Sequence, residues 1–113
     1  MNSTSKNTSV SVIVAHRGPD HHLLGVFKDL KMWFSEITVV GPSSDAVSHV
    51  IKTHGGKWIQ SESSSIYELW EMGIQSQTSS WYLLLEGREY LSTILKENIL
   101  EATKSAPDQK TWF

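Results

Sequence analysis

Three short polar segments hold most of the side chains that could do chemistry. They are residues 16–22 with His16, Arg17, Asp20, His21 and His22, residues 41–45 with Gly41 and Asp45, and residues 86–89 with Glu86, Arg88 and Glu89. His16, His21 and His22 have the donor type of a metal cluster, but no i, i+4 pair on one helix and no carboxylate pair completes it. They read as solvated loop and helix-start histidines. The chain has no cysteine, which excludes disulfides, thiolate nucleophiles and cysteine-ligated zinc within it. Neither a G-x-G-x-x-G turn nor a G-x-x-x-x-G-K-[ST] loop occurs, which speaks against a dinucleotide-binding dehydrogenase and a P-loop NTPase.

Each segment follows an apolar run of strand length. Residues 10–15 (Val-Ser-Val-Ile-Val-Ala) are rich in β-branched side chains and read as a strand covered on both faces. Gly18-Pro19-Asp20 breaks it and starts a helix, with Asp20 or Gly18 near the cap and an apolar stripe through Leu23, Phe27, Leu30 and Trp33-Phe34. Residues 36–40 form a second strand, closed by Gly41-Pro42. Ser43 or Ser44 caps a second helix, with Asp45 in the first turn where the dipole favours an anion. Val47, Val50 and Ile51 are its buried face and Gly55-Gly56 its stop; His54 beside it is a favourable charge at a helix C-terminus.

Residues 57–60 are a third strand. Ser65 and Glu68 have capping-box spacing at the start of a third helix, whose packed face carries Ile66, Leu69, Trp70, Gly73 and Ile74. Residues 81–85 are a fourth strand, and Ser92 opens a fourth helix carrying Ile94, Leu95, Ile99 and Ala102, ended by Pro107. Thr111-Trp112-Phe113 has the character of a further strand. Residues 1–9 are polar and patternless and read as a disordered arm before one domain over 10–113.

Strand–helix alternation of this kind predicts an α/β fold, a doubly wound, mostly parallel sheet of four to five strands with helices on both faces. Strand order 3-2-1-4 puts the topological switch point between the first and fourth strands. Ligands of such sheets bind outside the carboxyl ends of the strands at that point. The three polar segments all fall there.

Composition narrows the partners. With 113 residues there is room for one core, and a formal charge of -2 gives no basic field for nucleic acid. No apolar run reaches the 18 or so residues of a membrane span, and no secretory segment opens the chain. A cytoplasmic location is the expectation.

Ser11-Val12-Ile13-Val14-Ala15-His16, then Trp33-Phe34-Ser35-Glu36-Ile37-Thr38-Val39-Val40, then Trp81-Tyr82-Leu83-Leu84-Leu85-Glu86-Gly87-Arg88-Glu89-Tyr90-Leu91-Ser92 together give a more specific pattern. In order and spacing it resembles the N-terminal half of family 2 glycosyltransferases, nearest to the subgroup related to lipopolysaccharide-core glucosyltransferases. The resemblance runs from about Val10 to Ala106. It implies a GT-A fold, a nucleoside diphosphate sugar as ligand, and a divalent cation, Mn or Mg, as cofactor. A hard cation on oxygen ligands would neutralise the diphosphate leaving group.

Two departures qualify that expectation. Gly41 stands where the family has a nucleotide-site aspartate, and Asp45 comes too late to replace it simply. The fourth strand reads Leu85-Glu86-Gly87-Arg88-Glu89 where the family has Leu-Asp-x-Asp-Glu. Glu86 keeps a carboxylate for a metal, whereas Arg88 would repel a cation and is suited instead to phosphate oxygens. The substrate-binding set implied by the resemblance is His16, Arg17, Asp20, Gly41, Asp45, Glu86 and Arg88, with Glu86 as the metal ligand and no catalytic base assigned. The plainer reading makes Asp45 a first-turn carboxylate and pairs Glu86 with Arg88 or Lys96. Transfer of a sugar requires an acceptor-binding half, from a second domain or another chain. The alternative is a non-catalytic protein-binding or assembly module, such as a homo-oligomer, that kept the fold.

Overall fold

The computed structural model describes residues 7–17, 20–42, 45–77, 79, 81–86 and 92–105. Strands β1 (Asn7–Ala15), β2 (Phe34–Gly41), β3 (Lys57–Gln60) and β4 (Trp81–Glu86) alternate with helices α1 (Asp20–Lys31), α2 (Asp45–Thr53), α3 (Ile66–Gln75) and α4 (Thr93–Ser105). The four strands form one sheet in the order β3-β2-β1-β4, with every neighbouring pair parallel. The α/β class, the helix-flanked sheet and the 3-2-1-4 order agree with the sequence expectation.

Strand alternation divides the core in two. Val10, Val12 and Val14 of β1 face α1, α2 and α4, where Phe27, Ile51 and Ile99 close the larger cluster. Ile13 and Ala15 face the other way and meet Leu69 of α3. Gly73 lets α3 sit close to β1, since a Cβ there would lie 2.3 Å from Ile13 Cγ2. At the end of α2, Gly55 takes φ +86 in the left-handed region, as a helix stop requires. Among the described residues no helix is long and apolar enough to cross a membrane.

Several boundaries differ from the sequence reading. β1 starts at Asn7, so residues 7–9 belong to the strand and not to the arm; residues 1–6 lie outside the described residues. A register irregularity between Asn7 and Ser11 sets this extension apart from the regular ladder, which is why the β-branched run alone did not reveal it. Phe34 is fully buried and opens β2 instead of ending the α1 stripe, because α1 stops at Lys31.

The α4 stripe is also rotated. Ile94 and Leu95 are exposed, while Lys96 and Ile99 are buried. An ammonium takes the inward position because Lys96 Nζ lies 2.8 Å from Asp29 Oδ2 of α1 and 5.2 Å from the centre of the Trp33 ring. Lys96, one of the two partners expected for Glu86, thus pairs with Asp29, and Arg88, the other, lies outside the described residues. The expected box at Ser65 is half formed. Ser65 Oγ accepts from the Glu68 amide at 3.4 Å, but the Glu68 carboxylate accepts from the Ser63 hydroxyl. Ser92 caps α4, its Oγ accepting from the Leu95 amide at 3.1 Å. Pro107 and residues 111–113 lie outside the described residues.

Candidate functional site

The described members of the predicted set lie at the carboxyl ends of β1, β2 and β4 but are divided between the two faces of the sheet. His16 follows the last residue of β1 and is only 2% exposed. Its amide donates to Val40 O at 2.9 Å, extending the β1–β2 ladder one step beyond the strand. Its ring meets Trp58 of β3 edge-on, with centroids 6.2 Å apart. A buried histidine against an indole differs from the solvated loop histidine that the sequence suggests. The β-branched run just ahead of it could not reveal that β3 would supply an aromatic wall.

Gly41 is fixed by this arrangement. A Cβ at that position would lie 2.7 Å from His16 O and 3.0 Å from His16 Cβ, closer than real Cβ atoms approach a backbone oxygen. The position where the resembled family has an aspartate therefore has no room for any side chain while His16 stays where it is. The Gly41 carbonyl is also engaged, accepting from the Ser61 amide at 2.7 Å. β2 is thereby tied to the segment that leaves β3.

Arg17 is exposed and donates through its guanidinium to Ser64 O. This contact bridges the end of β1 to the serine-rich stretch 61–65 leading into α3. Neither Ser61 nor Ser64 stands out in the sequence as a site residue, because each acts through its backbone. Glu86 closes β4 in register with Ala15 and is partly buried. By strand alternation it continues the Tyr82–Leu84 side towards α3, whereas His16 continues the Val14 side towards α1. The carboxylate and the imidazole thus flank the sheet edge from opposite faces.

Asp20 and Asp45 are the first residues of α1 and α2, as expected, but their side chains lie outside the described residues. Arg88 lies outside them as well, together with Gly87 and Glu89. Among the described residues no group of three or more His, Cys, Asp or Glu is placed to hold a metal ion. Glu86 alone does not make a donor set for a divalent cation, which takes six or more oxygen ligands. The two remaining histidines of the first segment, His21 and His22, stack on each other at 4.2 Å on the exposed start of α1 and do not join His16. His54 behaves as a helix-end residue, its Nδ1 2.9 Å from Val50 O.

The edge therefore presents engaged backbone at Gly41, an exposed guanidinium held on Ser64 O, one partly buried carboxylate and, on the opposite face, one buried imidazole. Comparison of the chain with protein-family models, with curated proteins and with solved structures finds no match.

Proposed function

We propose that the carboxyl edge of the sheet binds the nucleoside diphosphate part of a nucleotide-sugar, as the donor half of a glycosyltransferase-like protein. The observation that carries this reading is the strand order β3-β2-β1-β4, with His16 directly after β1 and Glu86 closing β4 at the switch point. Sheets of this winding take their ligands there, beyond the carboxyl ends, where helix N-termini and backbone amides face an anion. The ordered resemblance of the first, second and fourth strand segments supports the same ligand class. Sugar transfer on this reading needs an acceptor-binding half supplied by a second domain or another chain, and the cytoplasm is the compartment that holds such donors.

An NMR amide titration with UDP, other nucleoside diphosphates and UDP-sugars, with and without magnesium, tests the reading. Saturable shifts are expected at His16, Arg17, Gly41 and Glu86, with a magnesium-dependent component if Glu86 contributes to a cation. Absence of shifts at millimolar ligand overturns it.

A second reading has its own observation. β4 is hydrogen-bonded to one strand only among the described residues, and Ile94 and Leu95 stand exposed at the start of the helix that follows it. An open edge beside apolar side chains suits an assembly module that pairs with a copy of itself. Light scattering that finds only monomer at high concentration excludes that self-association.

A further inference from the structure

We propose that a groove between α3 and β4, separate from the carboxyl edge, binds an organic ammonium cation of the trimethylammonium type. The groove has a volume of about 490 Å³ and is lined by Tyr67, Trp70, Ile74 and Leu84, with Glu68 and Glu71 among its polar residues.

Two rings shape one end of it. Tyr67 and Trp70, one helical turn apart on α3, stand at 85° with centroids 5.8 Å apart. The indole is held in place by donation from Trp70 Nε1 to Leu85 O at 2.9 Å. Tyr67, in contrast, is 79% exposed. A pair of perpendicular rings with one pinned and one open to solvent is a ready corner for a cation, whose charge is attracted to the negative faces of the rings.

Charge selects the same occupant. The lining contains two glutamates and, among the described residues, no lysine, arginine or histidine. One of the two, Glu68, is engaged through a hydrogen bond from the Ser63 hydroxyl. Glu71 is exposed on the next position after Trp70. A trimethylammonium head carries its charge on methyl groups and donates no hydrogen bond. It therefore sheds water readily, suits the Ile74 and Leu84 floor, and gains from nearby carboxylates without needing a directed partner. An anionic ligand would be repelled by the carboxylates.

The test uses the whole chain and follows the Trp70 indole Nε1–H resonance, assigned by its loss in Trp70→Phe. Choline is titrated beside 3,3-dimethylbutan-1-ol, its uncharged isostere. Choline is expected to saturate in the millimolar range and the isostere to bind at least about fivefold more weakly. Tyr67→Ala and Glu71→Gln change exposed residues and leave the fold intact. Each is expected to weaken choline by about two- to fivefold, while leaving the isostere nearly unchanged. A glycine-flanked trimethyllysine tripeptide separates the sources. Tighter binding of the peptide assigns the head group to a protein partner, tighter choline to a free small molecule, and either supports the cation site. Equal binding of choline and its isostere, or no indole shift up to about 100 mM choline, overturns the proposal.

Discussion

Replacing Asp29 by Asn leaves the Lys96 ammonium buried without its counter-charge, and the cost can be worked from the geometry. Lys96 is 3% exposed and its Nζ lies 2.8 Å from Asp29 Oδ2, whose side chain is 30% exposed. At an effective dielectric constant of roughly 20, two charges at that distance attract by about 6 kcal/mol before desolvation is counted. Removing one partner of a fully buried pair costs about 3–5 kcal/mol. The solvent reaching Asp29 and the ring face of Trp33, which keeps its hold on the ammonium, bring the expected loss for Asp29→Asn to about 2–3 kcal/mol. For a domain of this size that is a fall in melting temperature of roughly 10–15 °C.

Lys96→Met behaves differently. It removes the buried charge together with its desolvation cost and keeps an unbranched chain against Trp33, so a change within about 1 kcal/mol is expected. The double variant then loses little beyond Lys96→Met, and the cycle gives a coupling of about 2 kcal/mol. Urea unfolding of the four proteins reads all three quantities. Equal losses for the two single variants, with a double variant equal to their sum, would refute the claim that this pair fixes the face α4 presents.

Three further substitutions follow from close contacts. Gly41→Ala puts a Cβ 2.7 Å from the backbone oxygen of His16, and a loss of about 1–3 kcal/mol on urea unfolding is expected, with the amide shift of His16 displaced. Gly73→Ala drives a methyl to 2.3 Å from Ile13 Cγ2. It should cost about 1–3 kcal/mol by thermal unfolding. Combined with Ile13→Ala the loss should be smaller than the sum of the two single losses, whereas a change on the other face of the sheet should simply add. Ser35 Oγ is buried with no hydrogen-bond partner among the described residues, so Ser35→Ala is expected to leave stability unchanged or raise it by up to about 1 kcal/mol.

Much of the architecture was legible because local signals and global winding agree in it. The run Val12-Ile13-Val14-Ala15 is fully buried, as a central parallel strand must be, and its β-branched residues show it in the sequence. The helix signals at Ser65, Ser92 and Gly55 are also local and also held. What escaped depends on partners far along the chain. The inward turn of Lys96 depends on Asp29, 67 residues away, and no periodicity count includes that contact.

The site was legible to the same extent. The positions of His16, Gly41 and Glu86 at strand ends follow from strand boundaries and order. The burial of His16 follows from Trp58, and the requirement for glycine at position 41 follows from the His16 backbone. Gly41 and His16 are thus one feature and not two. A glycine that looked like the loss of an acidic residue is also what allows β1 and β2 to approach so closely at their carboxyl ends. Placing an aspartate at 41 would therefore disrupt this approach of the two strands.

The direction of winding accounts for where the second groove lies. From β1 the chain steps through α1 to β2 and through α2 to β3, with both helices on one face. It then returns across the sheet through α3 on the other face to reach β4. A change of face with the change of direction is what the right-handed crossover rule requires. A helix leading from β4 to a further parallel strand on its outer side would by the same rule lie on the α3 face, over Leu84 and beside Trp70. Instead α4 packs on the α1 face, where Ile99 joins the larger cluster and Lys96 reaches Asp29. On the α3 side of β4 the described residues place no helix beyond α3 itself, so Leu84 is only partly buried and the Tyr67–Trp70 corner opens to solvent. The ion pair that holds α4 on one face shares no residue with the groove on the other. Asp29→Asn, by loosening α4, is expected to leave choline affinity unchanged at temperatures where the variant remains folded, because none of the groove's lining comes from α1 or α4. A change in that affinity greater than about twofold would show that α4 shapes the groove through the sheet, and that the two faces are not independent.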